Sequence, residues 1–442
     1  MKKLFLFPLY FIPILLMAQK QMSLEDCMHY AVENSFKTAR AVIESENAKK
    51  DYTSAILAHL PGVDGYIGIN SNFGRGIDPA TNNYGNTTTF SNGVGVNARV
   101  PIFNGLRYLN RTRSAKIAKL RGEEQLRQTR DKVAEETMLA YAEVVYYKEL
   151  LRLYEKRIEN YKLEEKKMER LLEMDGGSIA DLAQIRAILA SEEYTAIATR
   201  NNLDISILKL KDCMNYPIEI PLLIEPQIKE AELFLDGQTV SEIIAFASII
   251  HPTVITEQHN VEIQKHNLSI ERGSYYPLLS MSGGISTDFF TSSTNKYDPF
   301  FTQYKNNLGE YVGVHLSVPI FSGLDVRLRV SKAKNNLKQA RQDYDETIRM
   351  LASEIMKAIM ELDASKSQWQ QAKKNVEFQQ IANQANKRKY EVGALSIIEL
   401  QTSDNQLFLS EIELNNSYLL YQIKIREINY YKGVPYVEIS DE

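Results

Sequence analysis

The chain has 442 residues, and its 52 lysines and arginines against 56 aspartates and glutamates give a net charge of −4, which argues against a nucleic-acid partner. That length allows two or three domains. The two cysteines, Cys27 and Cys213, make no metal-binding spacing; Cys27 reads as a small buried thiol or, with Cys213, as one disulfide in an oxidising compartment.

The first element is Met1-Lys2-Lys3, an apolar run from Leu4 to Met17, and Ala18-Gln19. A basic start, a short apolar stretch and a small residue at a cleavage point predict a secretory signal over residues 1–18. The run is too short for a transmembrane anchor, which needs ~20 residues, and no cysteine follows Ala18 to carry a lipid. Loss of Lys2 and Lys3 takes the net charge to −6. No later apolar run reaches 18 residues. An exported chain of this kind is either soluble or enters a membrane as β-strands.

Beyond the signal the chain repeats itself. "VPIFNGL" at Val100 returns as "VPIFSGL" at Val318, and Leu182 with Leu400 and Pro217 with Pro435 keep the same offset of 218. Upstream, Leu24 with Val240 and Pro61 with Pro277 stand 216 apart, so a loop between Pro61 and Pro101 differs by two residues. Residues 19–217 and 239–442 therefore read as two copies of one unit, with a linker over 218–238.

Each copy opens with an amphipathic helix, over about 23–58 and 239–275, stopped by Pro61 or Pro277. Strands are predicted over about 61–74 and 92–103, and over 277–290 and 309–321. Long helices follow over about 104–174 and 322–391. The first shows a coiled-coil seam: Val144, Tyr147, Leu151, Tyr154, Ile158, Tyr161, Glu165, Met168 and Leu172 are apolar at eight of nine heptad positions. Gly turns, "MDGGS" and "EVGAL", lead into return helices over about 178–215 and 396–432. A helix of about 70 residues is ~105 Å long, twice the leading or return helix, which predicts a tall helical wall.

The strands alternate. Val94, Val96, Ala98 and Val100 interleave with Gly95, Asn97 and Arg99, and Val312, Val314, Leu316 and Val318 with Gly313, His315 and Ser317. Val63, Ile67, Ile69 and Phe73, and Leu279, Met281, Ile285 and Phe289, do the same. Each run has the length of a tilted membrane strand with a lipid face and a wet face. A soluble antiparallel sheet with one buried face gives the same alternation. Aromatic residues at the strand ends, Phe103, Tyr275, Tyr276 and Phe321 at one and Phe73, Phe289 and Phe290 at the other, favour interfacial girdles. Four strands do not close a barrel, and an open edge does not face lipid. Several chains would have to share one barrel: two give eight strands, three give twelve.

This succession of helix, two strands, long helix, Gly turn and helix, given twice behind a signal, resembles the TolC-like outer-membrane efflux protein family. The resemblance rests on "VPIFNGL", "VPIFSGL", "YEVGALSIIELQTSDNQL" at Tyr390 and "SLEDCMHYAVENS" at Ser23. Phe36 stands where the family usually has the proline of Asn-Pro; copy two keeps His251-Pro252. The resemblance implies a mixed α/β membrane protein: a homotrimer with a twelve-stranded outer-membrane β-barrel continued by a long α-helical barrel across the periplasm. It implies a channel rather than an enzyme, with a periplasmic adaptor and an inner-membrane transporter as partners. Adaptor docking then falls on the tips, Gly176, Gly177 and Ser178, and Gly393, Ala394, Leu395 and Ser396. Glu399, with Asp181 at the matching place, is the expected negative ring at the channel entrance. Thr402 occupies the second acidic position of the family, and Asp404 lies two residues on. Pro101 and Gly105, and Pro319 and Gly323, are the expected joints from barrel to helix.

No catalytic constellation or cofactor motif stands out. His251, His259 and His266 are eight and seven apart, unlike a metal pair on one helical face. "FGRG" at Phe73 lacks the Lys-Ser/Thr of a phosphate loop. Against the conduit stand an outer-membrane structural or adhesion protein using loops 74–91 and 290–308, and a soluble coiled-coil scaffold. Repeated tip turns have no use in an adhesin, and a soluble scaffold would not need girdled alternating strands.

Overall fold

In the computed structural model Ser23 starts the first helix with a reciprocal cap: its Oγ accepts from the Asp26 N–H at 3.1 Å, and the Asp26 carboxylate accepts from the Ser23 N–H at 3.1 Å. The structure describes residues 21–77, 82–174, 176–234, 237–293 and 296–438. The signal segment 1–18 lies outside the described residues. In order, the elements are α1 (Leu24–Asn34), α2 (Phe36–Leu57), β1 (Gly62–Ile77), β2 (Tyr84–Phe103), α3 (Arg107–Glu173), α4 (Ile179–Met214), α5 (Val240–Ile250), α6 (Pro252–Gly273), β3 (Leu278–Ser292), α7 (Phe300–Asn306), β4 (Gly309–Ser317), α8 (Asp325–Glu391) and α9 (Ile397–Tyr431). No single helix among the described residues is long and apolar enough to cross a membrane. The chain divides into two units, one of residues 41–128 and 248–351, the other of residues up to 40, 129–247 and 352 onward.

The first unit holds the sheet. Its order is β1-β2-β3-β4, every pair antiparallel, leaving β1 and β4 as edges. On the helical side, α6 packs against both long helices. Asn267 and Thr253 bond Ser114 and Gln128 of α3, while Leu268 packs with Val326, Val330 and Ala333 of α8. The other leading helix, α2, meets α3 through Ala55, whose carbonyl accepts from Thr112 at 2.9 Å. Ile43, Ile56 and Leu57 of α2 remain exposed.

The second unit is built around Tyr141 of α3, whose side chain is fully buried among Leu24, Met28, Val144, Leu210 and Met214. Its hydroxyl donates to the carbonyls of Met22 (3.3 Å) and Glu225 (3.1 Å), which pins the linker to α3. Gln422 and Asn429 of α9 accept from the N–H groups of Ala231 and Phe234. Lys432 donates to the Phe234 carbonyl. Linker backbone that would lack partners when buried is thus satisfied by side chains.

Several expected boundaries change. Each leading helix, read as continuous, is broken: at Ser35 between α1 and α2, and at His251 between α5 and α6. Proline forces the second break. The first needs none, because Ser35 adopts an extended conformation and its Oγ caps the Thr38 N–H at 3.1 Å. The strand expected from 92 starts at Tyr84, since "YGNTTTF" has no apolar alternation but finds a full ladder against β1. The strand expected to reach 321 ends at Ser317, which lies opposite Leu278 where β3 begins, so residues 318–321 have no ladder partner there. The loop read over 290–308 contains α7. Cys27 and Cys213 are free thiols rather than a disulfide, and burial pushes the Cys27 thiol up to about 12.

Candidate functional site

Directly paired residues share a face of a sheet. Val63 and Ile67 lie opposite Ala98 and Val94. Val96, Ala98 and Val100 lie opposite Ile285, Gly283 and Met281. Leu279, Met281 and Gly283 lie opposite Leu316, Val314 and Val312. The four apolar series therefore join into one continuous face. Asp64, Asn97, Arg99, Ser282, Asp288 and His315 fall on the other. The apolar face is bare: Ile67, Ile69, Val312 and Val314 are all exposed. A soluble sheet would cover such a face with a second layer. One girdle assignment changes, because Phe73 and Phe289 lie on the apolar face while Phe290, one residue on, points to the polar side.

The joints from strand to helix share an unusual backbone. Gly105 (φ +67°) and Leu106 (+60°) are both left-handed, as are Gly323 (+61°) and Leu324 (+67°). Left-handed leucine is strained, and nothing in the sequence marks it beyond its place after glycine. Pro101 lies at the last regular pairing of β2, before the ladder shifts at Phe103. Pro319 follows the end of β4. Gly105 is closely approached: a Cβ there would stand 2.1 Å from the Gly273 carbonyl oxygen. Gly323 meets no atom within 4 Å.

At the first hairpin tip the Gly176 N–H donates to the Leu171 carbonyl at 2.9 Å, and a Cβ on Gly177 would press on the Leu172 backbone. Ser178 caps α4 by accepting from the Asp181 N–H at 3.4 Å. At the second, Gly393 is left-handed (φ +73°), the Ala394 N–H donates to the Lys389 carbonyl at 2.8 Å, and Leu395 is half-buried. Ser396 and Glu399 form a reciprocal cap: the Glu399 carboxylate accepts from the Ser396 N–H (3.0 Å) and hydroxyl (2.8 Å). Those bonds hold its carboxyl below the usual range although it is exposed. Asp404 is committed elsewhere, accepting from Asn383 at 2.6 Å and pairing with Lys387.

A further group, several turns up the helices that lead to the tips, has only a faint sequence signal, a basic residue inside the aromatic seam. Arg157 of α3 donates to Glu192 of α4 at 2.6 Å, and its guanidinium lies 4.2 Å from the ring centre of Phe408 on α9. Both ionic partners are close to buried, at 14% and 13% exposure. Beside them lies a cavity of about 280 Å³ lined by Tyr161, Tyr390, Leu400, Asp404 and Phe408. No group of three or more His, Cys, Asp or Glu among the described residues is placed to hold a metal ion.

Comparison with known proteins agrees with this arrangement. Residues 28–215 and 250–431 match the family model described as "Outer membrane efflux protein". The outer membrane efflux protein BepC of Brucella suis is 22% identical over 358 residues, covering 81% of this chain and 73% of BepC. Outer membrane protein TolC of Escherichia coli is 25% identical over 252 residues, covering 55% of this chain and 49% of TolC. Among solved structures, the CmeC outer membrane channel of Campylobacter jejuni superposes with a TM-score of 0.81 at 18% identity, over 95% of this chain and 87% of that one. A two-faced strand wall, paired hairpin tips and a match over most of the length lead to one conclusion: the chain belongs to the outer membrane efflux protein family.

Proposed function

We infer that this outer-membrane channel is the exit duct of a tripartite efflux pump or type I secretion system, passing cargo outward from a periplasmic adaptor and an inner-membrane transporter. The observation that carries the reading is the register: four strands with one bare apolar face and one polar face suit a wall between lipid and water. Outer membrane efflux proteins are channels rather than enzymes, so energy comes from the pump.

A homotrimer completes the wall. β1 and β4 end the sheet with unpaired edges, which lipid does not tolerate. Three copies of two tandem repeats give twelve strands, continued by an α-helical barrel. The second joint supports closure by another chain: Ile320 is 95% exposed, and Phe321, Leu324 and Leu328 stand exposed beside an uncovered Gly323, whereas Gly105 is covered. Pro101 and Gly105, with Pro319 and Gly323, turn barrel into helix. Gly176, Gly177 and Ser178, with Gly393, Ala394, Leu395 and Ser396, are the adaptor contacts.

Asp181 and Glu399 make a negative entrance, since carboxylate rings favour cations. Single-channel recording of the purified protein in planar bilayers tests both levels. The duct reading requires ion conductance and fails without it. Glu399→Gln should weaken block by divalent cations; unchanged block alongside normal conductance would remove the ring and leave the duct.

A further inference from the structure

The segment between β3 and β4 has a use beyond connecting strands. β4 ladders only with Leu278–Ser286, so the last part of β3 lacks a strand partner on that side. α7 fills the place. The Gln303 side chain is buried and bonds both backbone groups of Phe290, accepting from its N–H at 3.0 Å and donating to its carbonyl at 2.9 Å. The Thr287 hydroxyl donates to the Tyr304 carbonyl at 2.7 Å, and the Tyr304 hydroxyl bonds Asn92.

The contacts fix the side on which the rings of α7 lie. Asn92, Thr287 and Phe289 all belong to the apolar face. Phe300 packs on Phe289 at 5.0 Å and stacks on Tyr304 at 4.3 Å, and Phe289 meets Phe90 at 6.2 Å. Phe301 is held edge-on to Phe300 at 5.5 Å yet is 83% exposed, with Lys305 exposed on the same short helix. An aromatic patch continuous with the lipid-facing wall, ending in an exposed ring and a cation, suits the boundary between headgroups and acyl chains.

We propose that α7 is a membrane-interface anchor, seating Phe300, Phe301 and Tyr304 in the outer leaflet, with Lys305 at the phosphate level. It rests on the reading of the sheet as a membrane wall. The test uses the full chain in a Trp369→Phe background, Trp369 being the single tryptophan. Phe301→Trp and, separately, Ile67→Trp are reconstituted into phosphatidylcholine vesicles brominated at shallow or deep acyl positions. Phe301→Trp should emit at shorter wavelength than in detergent-free denaturant and lose most emission to shallow bromines, little to aqueous iodide. Ile67→Trp should respond most to deep bromines. Iodide quenching of Phe301→Trp alongside bromine quenching of Ile67→Trp overturns the anchor and leaves the wall. Loss of bromine quenching at both sites overturns the wall and the anchor together.

Discussion

Arg157 illustrates how one side chain decides the association of helices that sequence periodicity only lines up. Burial raises the Glu192 carboxyl and Arg157 pulls it back, so the carboxylate depends on the guanidinium beside it for its charged state. Arg157→Ala should destabilise the fold by about 3 kcal/mol, because it strands a nearly buried carboxylate. Pairing Arg157→Met with Glu192→Leu should restore most of that. Guanidinium unfolding of the detergent-solubilised protein, followed by circular dichroism, reads the difference; equal midpoints for single and double variants would refute it. Gly105 makes the companion case. Its left-handed backbone alone would cost an L-residue ~1–2 kcal/mol, and the Gly273 carbonyl stands where a Cβ would go. Gly105→Ala should therefore lower the yield of folded protein in the membrane fraction, and wild-type yield would show that the Gly273 backbone gives way.

At the scale of elements, the breaks at Ser35 and His251 show two chemical routes to one geometry. Pro252 removes the donor and sets the helix start at α6; a serine cap does the same for α2. The second break carries a titration. Burial first, and Arg127 second, hold the His251 imidazole down to about 4. The folded state therefore keeps it neutral where the unfolded chain, near the ordinary value of about 6.5, takes up a proton. Its stabilising contribution is whole above the unfolded value and is lost as pH falls toward 4, by about 3 kcal/mol. His251→Gln should flatten that part of the pH profile of the unfolding midpoint, and an unchanged slope between pH 6.5 and 4 would assign the dependence to other groups.

Across the whole molecule the open edges dominate. β1 and β4 are separated within the chain by two strands, ~14 Å across three strand spacings, so disulfides between them would have to join neighbouring copies. In a Cys27→Ser, Cys213→Ser background, Ile67→Cys combined in turn with cysteine at Val312, Val314 or Leu316 should yield, on oxidation, species of two and three chains and none larger. Monomer alone throughout the scan would defeat shared closure. The two bare regions differ in what would cover them: under the proposed closure a neighbouring copy would cover the second joint, with its exposed Ile320 and Phe321, whereas the apolar face of the sheet would meet lipid.

Much was legible in the residues because it depends on local periodicity. Alternation in four strands, a heptad seam, glycine tips and a "VPIF" given twice follow from side-chain period and backbone preference, which act over a few residues. Other features depended on contact between distant residues. The ladder against β1 turned the polar stretch from Tyr84 into strand, and the short length of β4 left the end of β3 to α7. Packing set Arg157 between three helices. Pairing register put Phe290 on the polar side of a wall whose neighbouring Phe289 is apolar. A hydrogen-bond ladder or a buried ion pair takes its free energy from partners far along the chain, so only the tertiary structure decided where those residues face and what they hold.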